Sequence, residues 1–428
     1  MTPTYSATNG HAQWRHWDLT HLAETYGTPL FIYDQTVIAR QFETLRTHLG
    51  DSLDLFFAVK ANPNLTLLGH MDELADGYDI SSGGELQQIL RAGIETTHLS
   101  FAGPGKTDQE LELAIHSGVG FISCESVREL QRIDLLAQKL DKRANVGLRI
   151  NPARKARGFG IMMGGKPSQF GVDEEVWPSY FEALAQTERC DFKGIHIYSG
   201  TQSLDPDALV DNFNDILRLA TDIQQQSGHT IQWINFGGGF GLSYYEDQEP
   251  LDLADLGQRL RASMAQFRQQ PGCAEVRGIL EFGRFLVGEA GLYVTRAVDV
   301  KHSRGQRFCV LDGGMNHHLP ASGNFGQVFR RNYRISNLSR PPAEKQESTT
   351  FVGPICTTID VMGLKVPFST LEEGDYIAVH TSGAYGLTCS PLFFLSHETP
   401  RELLLLEDQV LLIRESMEAS ILNTETAR

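Results

Sequence analysis

The stretch LDLFFAVKANPNLTLLGHMDELADGYDISS, residues 53–82, decides the fold. Its first run is apolar through Val59 apart from one aspartate, as in a parallel strand that is buried on both faces. An amphipathic segment with helical spacing follows, and a second short apolar run then begins. The pattern predicts one strand–helix–strand unit. Lys60 closes the first strand, at the edge where such folds collect their chemical groups.

Similar pairs of apolar runs and amphipathic segments continue over residues 29–281. Roughly eight units in about 250 residues fit a (β/α)8 barrel better than an open Rossmann sheet. Beyond residue 281, β-branched and aromatic runs such as AGLYVTRAVDVKHS, residues 290–303, follow without helices between them. We therefore predict an α/β protein with a TIM-like barrel over residues 29–281 and a mainly antiparallel β domain over residues 282–428.

The composition restricts the class of protein. The 428 residues carry a formal net charge of -16, which argues against nucleic acid as a partner. Six cysteines are scattered without a C-x-x-C pair, which predicts reduced thiols and no zinc site. No secretory leader or long apolar window is visible in the sequence. We expect a soluble, cytoplasmic protein without a membrane partner.

Four predicted strand ends carry groups that could do chemistry. They are Lys60, His196, the glycines 237–239, and Glu281 with Arg284. Each has an ordinary alternative: a lysine that reaches solvent along its stem, a core histidine, a tight turn, and a structural ion pair. Together they meet the demands of one ligand, pyridoxal 5'-phosphate (PLP). A lysine bonds to its aldehyde, glycine N–H groups hold its phosphate, an imidazole stacks on its ring, and a carboxylate faces its ring nitrogen.

The sequence resembles the fold-type III PLP-dependent decarboxylases, the group of diaminopimelate, ornithine and arginine decarboxylases. The resemblance covers nearly the whole chain. It is carried, in order, by FAVKAN, DISSGGEL, GIHIYSGTQ, NFGGGFG, EFGR, DGGMNHH, GPICTTID and SGAYG.

The resemblance implies a role for each matching residue. It implies that Lys60 bonds to the cofactor, that His196 stacks on its ring and that Glu281 faces the pyridine nitrogen. The cofactor-binding residues it implies are Lys60, Asp79, His196, Ser199, Gly200, Gly237, Gly238, Gly239, Glu281, Gly283, Arg284 and Tyr385. Arg284 would lie near the phosphate or the substrate carboxylate, and Glu85 and Arg149 would support the site.

The same resemblance implies an obligate head-to-tail homodimer with shared active sites. Cys356 and Asp360 match a segment that reaches across the dimer interface, where the cysteine protonates the carbanion and the aspartate faces substrate. Residues 1–28 are expected to join the β domain. Glu281 and Cys356 favour decarboxylation over the racemisation of related enzymes, which use an arginine and a tyrosine instead.

The substrate is predicted from departures from the diaminopimelate pattern. Cys356 is followed by two threonines where a C-E-S motif is common, and MNHHLPASGNFG, residues 315–326, lacks the expected arginine and tyrosine. A site without these groups would leave a buried zwitterion unpaired. Two stretches, residues 312–333 and 382–400, are instead similar to exosortase-associated and butirosin-type glutamyl-[acyl carrier protein] decarboxylases.

The leading hypothesis is a decarboxylase of a carrier-bound γ-glutamyl thioester in a biosynthetic pathway. The first alternative is decarboxylation of a free amino acid of the diaminopimelate, ornithine, lysine or serine type. A PLP-binding regulatory protein without turnover is the second. Arg330 and Arg331 could meet an acidic carrier, although surface charge is their ordinary explanation, and the loop 153–171 could cover or flank the entrance.

Overall fold

A computed structural model describes residues 4–5, 10–154, 158–245, 247–325 and 330–423. The sequence motifs at 153–171, 312–333 and 1–28 therefore each include some residues outside the described part. The chain divides into two compact units. The barrel unit comprises Ala39–Ser243 and Glu249–Leu286, and the β unit comprises Met1–Ile38, Tyr244–Gln248 and Val287–Arg428.

The secondary structure alternates in the first part of the chain and is strand-rich in the last part. The helices are α1 (Leu19–Tyr26), α2 (Gln35–Leu49), α3 (Leu65–Met71), α4 (Gly83–Arg91), α5 (Asp108–Ser117), α6 (Val127–Lys139), α7 (Pro178–Leu184), α8 (Pro206–Ser227), α9 (Leu253–Arg268) and α10 (Arg284–Val287). None of these helices, within the described ranges, is long and apolar enough to span a bilayer.

The strands follow in chain order. They are β1 (Thr4–Tyr5), β2 (Ala12–Trp14), β3 (Trp17–Asp18), β4 (Leu30–Asp34), β5 (Leu53–Ala58), β6 (Gly77–Ile80), β7 (Leu99–Phe101), β8 (Phe121–Cys124), β9 (Ala144–Asn151), β10 (Ile161–Met162), β11 (Val172–Asp173), β12 (Cys190–His196), β13 (Gly200–Thr201), β14 (Trp233–Asn235), β15 (Arg277–Phe282), β16 (Gly291–Ser303), β17 (Gln306–Leu311), β18 (Ile335–Asn337), β19 (Glu347–Val352), β20 (Val361–Phe368), β21 (Tyr376–Val379), β22 (Arg401–Leu405) and β23 (Val410–Arg414).

The barrel unit is a closed parallel sheet of eight strands. Its order is β9-β12-β14-β15-β5-β6-β7-β8, and the pairing of β8 with β9 closes the ring. The strands are apolar because their side chains are buried on both faces, as Phe56 and Phe57 in β5 show. The predicted barrel is confirmed.

Local signals set the ends of the barrel helices. Thr107 and Glu110 form a reciprocal capping box at the start of α5, and Gly118 ends that helix with φ of 72°. Asn64 caps α3 directly after the Lys60 segment, accepting hydrogen bonds from two backbone N–H groups. Each turn therefore stops one element and starts the next within a few residues.

The β unit is a mainly antiparallel sheet, as predicted. Its main path is β20-β19-β17-β16-β4-β22-β23, with β21 pairing with β16 and β18. The strand β4, predicted to open the barrel, lies in this sheet instead. It pairs antiparallel with β16 and parallel with β22. Its five residues are all buried, so they suit either sheet, and only the tertiary pairing selects this one.

The packing at Gly194 in β12 generates a stability prediction. A Cβ at Gly194 would lie 1.8 Å from the carbonyl oxygen of Trp233 in the neighbouring strand β14. Because backbone cannot move aside as a side chain can, we expect Gly194→Ala to lower the free energy of unfolding by about 3 kcal/mol. Chemical denaturation of wild type and variant measures this change.

Gly69 in α3 is the matched control, since a Cβ there meets nothing within 4 Å. Gly69→Ala is expected to leave stability unchanged or to raise it by about 1 kcal/mol. Equal effects of the two substitutions would contradict the register described for β12 and β14.

Candidate active site

The predicted chemical groups of the barrel unit converge at one end of its sheet. Lys60 lies in the short turn that follows β5, and Asp79 lies near the end of β6. His196 and Asn235 end β12 and β14, while Glu281 lies in β15. Because all eight strands are parallel, their carboxyl ends share one rim, which is where barrel enzymes place their active sites.

Lys60 is held at this rim by a buried carboxylate. Its Nζ lies 3.3 Å from Oδ2 of Asp79, and the Lys60 side chain is 39% exposed while Asp79 is 1% exposed. The ring of Tyr198 lies beneath the ammonium group, with 5.8 Å between Nζ and the ring centroid. Lys60 is therefore partly exposed and has a buried charge partner, and its bond to a cofactor stays a prediction.

His196 and Glu281 form a buried contact in the centre of the rim. The Nε2 atom of His196 lies 3.4 Å from Oε1 of Glu281, and its Nδ1 atom lies 2.9 Å from Oγ of Ser123. Asn235 donates from Nδ2 to the same Glu281 oxygen at 2.7 Å. The sequence motifs did not assign Asn235 or Ser123 a role, although Asn235 ends an apolar strand just as Lys60 does.

Burial drives both members of this contact towards their neutral forms. Burial, followed by the negative charge of Asp79, raises the pKa of Glu281 to about 8. Burial, followed by the positive charge of Arg149, lowers the pKa of His196 well below its ordinary value. At neutral pH, His196 is therefore neutral and the Glu281 carboxyl group beside it retains its proton.

The glycine run forms a tight turn against β15. Gly237 and Gly239 have φ angles of 64° and 115°, which side chains rarely adopt. The N–H of Gly237 donates to Oδ1 of Asn235 at 2.9 Å. A Cβ on Gly238 would lie 2.2 Å from the carbonyl oxygen of Glu281. The glycines are therefore required by the backbone path that brings this turn beside Glu281.

The loop between β9 and α7 lies alongside this glycine turn. The N–H of Met163 donates to the carbonyl oxygen of Ser199 at 2.9 Å, and β10 pairs with β13, which contains Gly200. A Cβ on Gly239 would lie 2.6 Å from the ring of Phe159. In the described residues the loop thus flanks the glycine turn.

A buried charge network supports the rim. Glu125 accepts from Arg149 Nη1 at 2.6 Å, from the N–H of Gly103 at 2.8 Å and from the N–H of Gly171 at 2.6 Å. It thereby ties the end of the flanking loop to β9. Lys106, three positions after Gly103, forms a second ion pair with Glu129 at 3.1 Å. The motifs predicted only Arg149 of this network.

The remaining predicted barrel residues lie at the starts of helices. Glu85, in the first turn of α4, accepts from the N–H of Ser81 at 2.6 Å, and burial raises its pKa. Gly283 precedes α10, and Arg284 begins it half-buried.

Three predicted residues belong to the β unit. Cys356 is an exposed free thiol, and Tyr385 is half-buried with a φ of 58°. Asp360 is 2% exposed, and its two oxygens accept from the N–H groups of Met315 at 2.7 Å and Ile355 at 3.0 Å. Each carboxylate oxygen of Asp360 thus accepts one backbone N–H, and its contact with substrate stays a prediction.

Comparison with known proteins decides the family. Residues 35–288 match "Pyridoxal-dependent decarboxylase, pyridoxal binding domain". The chain is 36% identical over 390 residues to the L-glutamyl-[BtrI acyl-carrier protein] decarboxylase of Niallia circulans, covering 90% of this chain and 91% of the relative. The chain belongs to the pyridoxal-dependent decarboxylases.

Other decarboxylases of this family show the same relationship. The diaminopimelate decarboxylase of Aquifex aeolicus is 34% identical over 377 residues, covering 87% of this chain and 85% of the relative. The solved diaminopimelate decarboxylase of M. jannaschii has a TM-score of 0.89 at 25% identity and covers 98% of this chain and 96% of its own. The predicted fold, PLP as cofactor and carboxy-lyase class are confirmed.

The barrel unit of this decarboxylase fits PLP. Among the described residues, the buried Oγ of Ser199 and Oδ1 of Asp79 have no hydrogen-bond partner, although buried polar atoms normally have one. Ser199 lies beside the glycine turn and Asp79 beside Lys60, so these two atoms are available to a polar ligand at both places. Bound PLP supplies an aldehyde that bonds to amines and a ring that accepts electrons.

The raised pKa of Glu281 predicts a pH-dependent stability of the cofactor-free decarboxylase. Its pKa rises from an ordinary 4.5 to about 8 on folding, so the folded chain binds this proton more tightly than the unfolded chain. Wild type therefore loses stability as pH rises from 4.5 towards 8, whereas Glu281→Gln does not titrate. We expect the melting temperature of Glu281→Gln relative to wild type to increase between pH 5 and pH 8.

Glu182→Gln, on the exposed face of α7, is the control and should show no such trend. In the PLP-loaded enzyme, Glu281→Gln should lower CO2 release by about 10²-fold, since a group that can share its proton at the rim is lost. A melting difference that is flat with pH would contradict the buried, proton-retaining Glu281.

Proposed function

We propose that the rim of the barrel unit binds PLP with the residue roles implied by the family motifs. Lys60 bonds to the cofactor aldehyde, His196 packs on the ring, and Glu281 faces the ring nitrogen. The residues that the family motifs assign to the phosphate group are Ser199, Gly200, Gly237, Gly238, Gly239, Gly283, Arg284 and Tyr385. The contact of Lys60 with Asp79 and the unpartnered Oγ of Ser199 support this assignment.

The chain's own groups act on protons. Glu281 retains a proton because burial raises its pKa, and it can share that proton with a ring nitrogen. His196 stays neutral beside it, so it can lie on an electron-poor ring without charge repulsion. Asp79 holds Lys60 at the rim. Loss of CO2 leaves an electron pair on the α-carbon, and Cys356 gives that carbon a proton.

The Cys356 role requires a homodimer in which each protomer supplies this thiol to the site of the other. The exposed position of Cys356 supports this, because an exposed thiol is accessible to a second protomer. Asp360 faces the substrate in this proposal and also holds the backbone at Met315 and Ile355. Its carboxylate lies against Gly314 and Gly353, where a Cβ would approach within 2.3 Å and 2.2 Å of it.

We propose a γ-glutamyl thioester of an acyl carrier protein as the substrate. The observation that carries this proposal is the uncharged character of the segments that match the distal-carboxylate grip of diaminopimelate decarboxylases. Cys356 is followed by two threonines, and residues 313–325 contain neither arginine nor tyrosine. The relative from Niallia circulans acts on an L-glutamyl carrier, which supports the same substrate class.

The two histidines in this segment do not replace the missing charges. Burial lowers the pKa of His317 to about 4 and of His318 to about 3, so both are neutral. His317 lies 2.8 Å from the carbonyl oxygen of Glu398, and His318 lies 2.9 Å from Oγ of Ser382. A free zwitterionic side chain buried beside such a segment would cost several kcal/mol, roughly as unpaired buried charges do.

A free amino acid is the second candidate substrate. It is favoured by the 34% identity to the diaminopimelate decarboxylase of Aquifex aeolicus. A regulatory protein without turnover is disfavoured, since Lys60 and Cys356 are both present.

The proposed role of Cys356 predicts a selective loss of activity. Cys356→Ala should bind PLP normally but lower CO2 release by about 10²-fold, or divert protonation to a different product, because a proton donor is removed. Steady-state CO2 release and product analysis measure both effects.

Cys190→Ala is the control, since Cys190 lies at the opposite end of β12 from His196. It should retain near wild-type turnover. An unchanged rate and product in Cys356→Ala would remove Cys356 from the reaction.

CO2 release from a substrate panel tests the proposed substrate. The panel contains γ-glutamyl pantetheine thioester beside free glutamate, meso-diaminopimelate, ornithine, lysine and serine. We expect turnover of the thioester alone, because residues 313–325 and the two threonines after Cys356 provide no charged side chain for the distal group of a free diamino acid. Lys60→Ala should abolish this turnover. Turnover of a free amino acid and not the thioester would overturn the carrier proposal and establish the second candidate.

A further inference from the structure

The β unit contains a cavity that the proposed chemistry does not use. Its volume is about 880 Å³, within the range of small-molecule sites. Every lining residue belongs to the β unit. The residues that matter here are Tyr244, Tyr245, Tyr333, Arg331 and Arg334. The cavity thus combines three phenolic rings and two guanidinium groups with one carboxylate, that of Asp247.

Arg331 is oriented at this cavity by an aromatic ring. Its guanidinium carbon lies 3.8 Å from the ring centroid of Tyr245, a close stacking contact. It also contacts the carboxylate of Asp247. That ion pair is exposed, with 41% and 69% of the two side chains accessible, so it is weak and can yield to another anion.

The surroundings of the cavity are more basic than the chain as a whole. Arg330, Arg331 and Arg334 are exposed within five positions, whereas the whole chain carries -16. Arg330 donates to the carbonyl oxygen of Val361 at 2.5 Å, a neutral acceptor. A local basic cluster on an acidic protein attracts anions to that place.

We propose that this cavity binds the phosphate and adjoining chain of a phosphopantetheine arm, with Arg331 and Arg334 on the phosphate. The inference rests on the proposed function, since only a carrier-bound substrate brings such an arm. A guanidinium fork suits two phosphate oxygens, which makes arginine a preferred phosphate partner.

The remaining lining suits the rest of the arm. Pantetheine is an uncharged chain with amide and hydroxyl groups and a branched apolar carbon. Gln346 offers an amide group in the cavity, and the tyrosine rings offer apolar faces. The side-chain amides of Asn332 and Asn337 also line it, but they hydrogen-bond to neighbouring residues of the protein. The lining therefore matches both the charged end and the neutral polar stem.

Two small thioesters test the proposal on the full-length PLP-loaded enzyme. γ-Glutamyl 4'-phosphopantetheine and γ-glutamyl pantetheine thioesters differ only in the phosphate. We expect wild type to favour the phosphorylated thioester in kcat/KM by about tenfold or more, as hydrogen bonds to a charged group are gained. The ratio of the two kcat/KM values should fall towards one in Arg331→Ala/Arg334→Ala.

Two further variants sharpen the test. Asp247→Asn removes the competing carboxylate from Arg331 and should raise the ratio above that of wild type. Lys139→Ala/Arg218→Ala, two exposed cations of the barrel unit, removes the same charge elsewhere and should keep the wild-type ratio. Calorimetric titration with S-methyl phosphopantetheine should show binding to wild type that weakens about tenfold in the Arg331/Arg334 variant.

The outcomes separate the two proposals. If neither thioester is decarboxylated, the proposed function fails, while the titration still decides whether the cavity binds the arm. If both are decarboxylated equally well by wild type, the cavity proposal is overturned and the proposed function stands. A wild-type preference that survives in Arg331→Ala/Arg334→Ala would also overturn it, because the phosphate would be bound elsewhere.

Discussion

Closure of the parallel barrel is the constraint on which the rest of the barrel unit depends. The pairing of β8 with β9 completes a ring in which every strand points the same way. In the register between β15 and β5, Glu281 lies opposite Phe56. Phe56 precedes Lys60 by four residues. Groups that are far apart in sequence therefore share one rim. A slip in any one pairing would turn these side chains to the other face of the sheet.

At the centre of the rim lie two side chains in neutral forms, and the charged side chains around them form ion pairs. His196 and Glu281 are pushed towards neutrality by burial, whereas Lys60 and Asp79 form an ion pair beside them. Glu125 and Arg149 form a second, fully buried pair. In a site of this kind the charged groups are paired within the protein, so their positions are fixed before a cofactor binds.

Local sequence signals predicted much of this arrangement. Alternating apolar runs and capped helices depend on nearby residues, so the eight barrel units and the strand-end position of Lys60, His196 and Glu281 were readable. The sequence did not predict which sheet contains Leu30–Asp34, because an apolar strand does not indicate the strand with which it pairs. The backbone contacts of Asp360 were not predictable for a similar reason. Backbone amides, which no side-chain motif reveals, donate to both of its oxygens.

The placement of Leu30–Asp34 also affects the order in which the parts of the chain can pair during synthesis on the ribosome. The last residue of the barrel unit is Leu286, so all of its strands have been synthesised once that residue has emerged. The buried strand Leu30–Asp34 must wait for both neighbours, the second of which ends at Leu405. At the usual pace of translation this delay is on the order of tens of seconds, during which an apolar strand has unpaired edges. Leu30–Asp34 is therefore synthesised early but completes its strand pairing only after Leu405 has been made.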